Sequence, residues 1–399
     1  MAVDGGLSKA LGLARLAFRA SALWLALVFP SLGLVQKFLG NIGLVGYLLG
    51  SVAIVVAGYR KVTDGRGSLF SERQAQLALA VGLLTLGWLF WLVYPFVDAG
   101  VIGGGSDRDD ALRLGVDQLL AGGFPYYEPT YLGNPITPMP GALLISAPFA
   151  VVEPLAWQNL AWLAAYGGVL RWVLGDWRSV AWSAFAIAVL SPVFLHALVT
   201  GSDLIANTVA VMLFLLLTSY VGARSRWLGW VSAVLFGLAL SWRASFLFLL
   251  PLLWSAVLSR HGWAQAVSRT VVAVVAFTLV TLPFYLYAPD QFTPLKTLGK
   301  LRFSEDLAVA SALIPASTAL LALAFARRDN AQPRQLLRHA FWLLSLPVIA
   351  VVVISSIDVG TLDLRMSDYG LCALFFGVAG FWPRRSTSDD ELVRPDGRG

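Results

Sequence analysis

Asp107-Arg108-Asp109-Asp110 puts three carboxylates and a guanidinium side by side in a chain with little other charge. Carboxylates at that density can solvate a loop, hold a metal ion, or take a proton from a nucleophile as a general base. Ser106 or Asp107 stands where a helix N-cap is expected, and acids in a first helical turn complement the dipole. Capping accounts for one or two of the acids and leaves the third unexplained.

The other polar residues with chemical potential lie beside apolar runs. Arg243, in "LSWRAS", sits at the end of one, and an ionisable residue at membrane depth is functional by default, with snorkelling to the interface as the alternative. Lys296, Lys300 and Arg302 fall in a loop at 288–305, Arg365 lies in "DLRMSDYG", and Asp203 in "TGSDL". Arginine suits bidentate contact with phosphate. Tyr126, Tyr127 and Tyr131 can stack on a sugar or anchor in the interfacial aromatic belt. His196 reads as an ordinary helix residue. A single cysteine, Cys372, excludes an intrachain disulfide framework, and three scattered histidines make no metal cluster.

These residues must be positioned by membrane helices. The chain is 58% hydrophobic and 13% charged over 399 residues. A soluble domain needs more charge than that to cover its surface. The sequence predicts an all-α polytopic membrane protein whose apolar segments, each about 15–22 residues long, match a hydrocarbon core of roughly 30 Å. Its net charge of +6 reflects arginine-rich turns around 60–73, 224–226, 260–269 and 327–338, which the positive-inside bias places in the cytoplasm, and not affinity for nucleic acid. The segment 138–153 carries Pro138, Pro140 and Pro148, so it is expected to be re-entrant or broken. About twelve spans then remain, with both termini cytoplasmic. Residues 1–383 form one transmembrane domain with external loops at 96–137 and 288–305, and 384–399 form a disordered cytoplasmic tail. Within the first loop, 107–120 has the spacing of a helix with one apolar face, suited to the membrane surface.

The run "DRDDALRLGVDQLLAGGFPYYEPTYLGNP" resembles the first extracytoplasmic loop of GT-C-type membrane glycosyltransferases, in the mannosyltransferase- and arabinofuranosyltransferase-like branch. Such loops carry an acid, a short helix and "LLxGxxPY", here Leu119, Leu120, Gly122, Pro125 and Tyr126, followed by a proline-containing apolar segment. Where these proteins have a tyrosine four residues after the acid, this chain has Ala111, which also keeps open an inert member. The resemblance implies an inverting transfer from a polyprenyl-phosphate sugar to a lipid or glycan acceptor, outside a cell membrane. It implies an aspartate base (Asp107 first, then Asp109 or Asp110) and donor-phosphate contacts from Arg243, Arg302, Arg365 and Lys300. Sugar or acceptor contacts fall to Tyr126, Tyr127, Asn134 and Asp203. No cofactor is required, although Asp107 and Asp109 form a D-x-D pair that is a candidate for a divalent metal. The competing class is a transporter or flippase of lipid-linked sugars. Such a protein should show polar residues buried mid-span and paired broken helices.

Overall fold

The computed structural model describes residues 2–63, 71–101, 106–221 and 225–383, so the glycines at 103–105 and the tail from 384 lie outside the described residues. Within them the protein is all-helical, apart from one isolated bridge between Pro129 and Pro135. The helices are α1 (Ala2–Val28), α2 (Leu32–Thr63), α3 (Glu72–Asp98), α4 (Arg108–Leu120) and α5 (Pro140–Ser146). They continue as α6 (Gln158–Leu174), α7 (Trp177–Leu190), α8 (Pro192–Val199), α9 (Leu204–Leu216) and α10 (Arg226–Leu240). The chain closes with α11 (Leu250–His261), α12 (Trp263–Tyr287), α13 (Ala308–Ala326), α14 (Pro333–Val359) and α15 (Leu371–Phe381).

Seven stretches among the described residues are long and apolar enough to cross a membrane, or eight if α7 and α8, bent by 84° at Ser191–Pro192, make one span. The first stretch, Gly12–Arg60, is not one rod. The chain breaks at Gly40, whose φ of 63° and ψ of −172° are non-helical. The rest of α2 then returns beside α1, where Trp24 donates to Ser51 at 2.9 Å and Leu23 and Leu27 face Ile54 and Val55.

Helix α9 is the axis of the core. Every residue from Leu204 to Met212 is buried, and α6, α10 and α15 pack around it. A helix apolar all round belongs inside a bundle. By contrast α3 and α12 turn most of their surface outward, as lipid-facing helices do.

Segment 138–153 folds as α5 and a 3-10 turn at Ala147–Phe149. At about 1.5 Å per residue, seven helical residues fall far short of a bilayer core. The amides of Gly141 and Ala142 are bonded to the Oγ and carbonyl of Ser241, at the end of α10. Helix α4 forms over the span its apolar spacing predicts, but its apolar face is not laid on lipid. Leu112, Gly115 and Val116 are buried against Ala142 and Leu143 of α5, close enough for Gly115 to meet the Leu143 side chain.

Candidate active site

The ends of many of these helices surround one polar cavity of about 950 Å³. That is the upper part of the usual range for a small-molecule site, which runs to roughly 1,000 Å³. Its wall takes Gly33, Leu34, Gln36 and Lys37 from the start of α2, Ser106–Arg108 from the start of α4, and Thr200, Ser202 and Asp203 from the α8–α9 turn. Arg243 after α10, Lys296 after α12, and Arg365, Asp368 and Tyr369 before α15 complete it.

Asp107 occupies the N-cap position of α4, yet its carboxylate makes no capping bond. It turns instead to the loop that follows α4, where Oδ2 accepts from Thr130 Oγ1 at 2.6 Å and from Asn134 Nδ2 at 2.8 Å. The bridge between Pro129 and Pro135 and the Thr130 amide bonded to the Asn134 carbonyl hold that loop closed, so both donors are fixed.

The neighbouring acids do something else. Asp109 is buried on the side of α4 facing α3 and accepts from the Tyr94 hydroxyl at 2.5 Å, while its Oδ1 is buried with no partner among the described residues. Burial pushes its carboxyl up to about 7, the Tyr94 bond pulls the other way, and Asp110 adds to the rise. Asp110 is also raised, by burial and then by Asp98 and Asp107. Neither lines the cavity. The D-x-D pair is therefore split between two environments, and among the described residues no three of His, Cys, Asp or Glu are grouped to hold a metal ion.

Two further carboxylates line the cavity, each tied to a guanidinium. Asp203, 1% exposed, accepts from Arg243 Nη2 at 2.7 Å and from Trp242 Nε1 at 3.0 Å. Asp368 accepts from Arg108 Nη2 at 3.0 Å, and Arg108 also bonds Ser202 and stacks over the Tyr369 ring. Burial works against the Arg108 charge, but Tyr369, Asp368 and Asp203 outweigh it and its pKa rises. The Arg243 Nε is buried without a partner among the described residues, an open donor in a cavity wall.

Of the residues expected from sequence, the cavity gathers Asp107, Asn134, Asp203, Arg243 and Arg365, together with Lys296 and His196. Arg365 is mostly exposed and gripped by Asp363 through two bonds. Arg302 is exposed away from the cavity, and the Lys300 side chain lies outside the described residues. Tyr126 is buried in an aromatic cluster with Phe124, Phe284 and Phe292, its hydroxyl donating to the Pro138 carbonyl. Tyr127 and Tyr131 are exposed and do not line the cavity. Sequence reasoning missed Arg108, Lys37, Thr130, Ser202 and Asp368.

No protein-family model, curated protein or solved structure matches this chain.

Proposed function

We propose that this protein is a membrane glycosyltransferase of GT-C type. It moves a mannose-like sugar from a polyprenyl-phosphate donor to a lipid or glycan acceptor on the extracytoplasmic face, with Asp107 as general base. One observation carries the reading. Of the three cavity carboxylates, Asp203 and Asp368 are paired with arginines, whereas the bonds to Asp107 come from the neutral Thr130 and Asn134. A carboxylate held in an ion pair has an oxygen engaged by the guanidinium. One oriented by neutral donors is positioned without a counter-charge, as a general base must be.

The reaction then balances with few parts. The acceptor oxygen bonds to the anomeric carbon as its proton passes to Asp107. The bond from that carbon to the phosphate oxygen breaks, the carbon inverts, and polyprenyl phosphate leaves with the electron pair. Five cationic side chains line the same cavity, Lys37, Arg108, Arg243, Lys296 and Arg365, and the open Nε–H of Arg243 is suited to a phosphate oxygen.

In this reading the chain makes twelve passes. Helices α1, α3, α7–α8, α10, α12 and α14 run towards the cavity, and α2, α6, α9, α11, α13 and α15 run away from it. Contacts at the cavity end, such as Asn159 with Ser202 and Gly33 with Ser367, support that alternation. So do those at the far end, Trp177 with Glu72 and Tyr220 with Asn330. The arginine-rich turns then share the end opposite the cavity, which the positive-inside bias makes cytoplasmic.

The test is transfer from polyprenyl-phosphate-mannose by the purified protein in proteoliposomes. Asp107→Asn should lower turnover by about 100-fold or more, the weight of a general base. Asp109→Asn should keep most of it. Unchanged turnover in Asp107→Asn removes the base assignment, and a wild-type protein that moves no sugar from such a donor removes the class.

A further inference from the structure

Among the described residues three carboxylates line the cavity, and they differ in how much of their hydrogen-bonding capacity is used. A carboxylate offers about four lone-pair sites. Asp203 accepts from Arg243, Trp242 and Asn207 and is 1% exposed, which leaves it nothing to offer a ligand. Asp107 accepts from Thr130 and Asn134 and is assigned the acceptor's proton. Asp368 is the under-used one. It accepts a single bond, from Arg108 Nη2, its side chain is 33% exposed, and its Oδ1 has no partner among the described residues.

The surroundings hold this carboxylate in place. Arg108 is fixed by three contacts: Nη1 donates to Ser202 at 3.3 Å, Nη2 donates to Asp368, and the guanidinium lies 5.0 Å over the Tyr369 ring. Asp368 itself sits in the 3-10 turn Arg365–Gly370, where Ser367 Oγ accepts from the Gly33 amide at 2.9 Å and ties the turn to the start of α2. An acceptor left unmet is costly unless a donor reaches it. A phosphate is no such donor, because it carries like charge and is itself an acceptor. A hydroxyl group is.

The position of Asp368 says which hydroxyl. Arg108 directly follows Asp107 in the chain, so Asp368 lies within one arginine's reach of the residue next to the base. Reacting atoms in a displacement stand about 3–3.5 Å apart, so an acceptor oxygen held at Asp107 brings the sugar under attack against this same wall. Resting on the glycosyl-transfer reading, we propose that Asp368 is a specificity-determining residue, accepting a hydrogen bond from one hydroxyl of the transferred sugar. Arg108 is the residue that positions it.

The probes are polyprenyl-phosphate-mannose and the donors that each lack one of its sugar hydroxyls. Transfer is measured with the full-length protein in proteoliposomes, and binding by titration calorimetry in detergent without acceptor. With wild type, one deoxy donor should lose about tenfold to 100-fold in affinity and in kcat/KM, the weight of a hydrogen bond to a charged group. Asp368→Ala should weaken the parent donor by a similar factor and treat it and that deoxy donor alike, so that the two losses do not add. Asp368→Asn, which keeps an oxygen for Arg108 and serves where the alanine variant does not fold, should narrow the gap to less than about tenfold. A residue that only held Arg108 would slow every donor equally and leave the discrimination intact. That result overturns the proposal, as does a wild type for which no deoxy donor is weaker by more than about threefold. Wild type that binds the donors with this discrimination yet transfers none removes the glycosyl-transfer reading and supports the role of Asp368. Wild type that binds no donor overturns that role.

Discussion

Asp107 and Asp109 are two residues apart and meet opposite environments, because a helical turn sends one towards the cavity and the other towards α3. Burial with a single hydrogen bond keeps a proton on Asp109 up to about pH 7. The unfolded chain releases that proton near the ordinary value of 3.8. The stability tied to the proton is therefore complete below about pH 4 and is lost as the pH rises towards 7, after which the curve levels. The thermal transition of wild type in detergent should fall across that window, and Asp109→Asn, which carries no titrating proton, should flatten it. A variant that keeps the full slope would mean another group is responsible. The sequence could display the acids but not sort them, since adjacent positions do not reveal what packs against each. Arg108 shows the same limit. It stands within the acidic run itself, yet its partner Asp368 lies in another element 260 residues away, and no local spacing points to it.

The helices that carry these residues are held by two close approaches. Helix α5 crosses the end of α10 with backbone against backbone, so a Cβ on Gly141 would lie 2.1 Å from the Leu238 carbonyl and 2.7 Å from Ser241 Cβ. Gly201, at φ +70°, turns the chain from α8 into α9, and a Cβ there would meet Asp109 Oδ2 at 2.7 Å and the Tyr94 ring at 2.9 Å. Gly141→Ala should destabilise the protein by about 1–3 kcal/mol, since the opposing atoms are mostly backbone and cannot give way. Because Thr137 and Pro138, just before α5, line the cavity, the sugar transfer proposed for it should slow too. Gly201→Ala combines steric overlap with a backbone conformation unfavourable to alanine. Adding Asp109→Ala should relieve the overlap with the carboxylate and leave the Tyr94 contact and the conformational part, so unfolding measurements on the pair should show partial rescue. Complete rescue, or none, would contradict that division. Both α4 and the proline-broken α5 were legible from periodicity and composition. Their contact was not, because an apolar stripe looks the same whether it covers lipid or another helix.

At the scale of the molecule, length and hydropathy identify α3, α12, α13 and α14 readily but pass over α6 and α15. The reason is length, 17 residues in α6 and 11 in α15. Helix α9 and the residues after it, 78% buried over their membrane-length window, sit inside a collar of other helices, whereas the α3 window is 6% buried. An interior helix can be short, as α15 is at 11 residues, because neighbouring protein, not lipid, covers its ends. Which side each end faces is a separate matter, set by the arginines. With the buried Cys372 replaced by alanine, a single cysteine at Asp306 would mark the cavity end, and one at Ser259, beside Arg260, the arginine end. Both positions are exposed, so a membrane-impermeant maleimide on intact cells should label Asp306→Cys fully and Ser259→Cys only after permeabilisation. The reverse pattern would put the cavity in the cytoplasm, where a polyprenyl-phosphate sugar facing outward could not reach it. Labelling of both in intact cells would mean that the two ends share one side and that the alternating passes are miscounted.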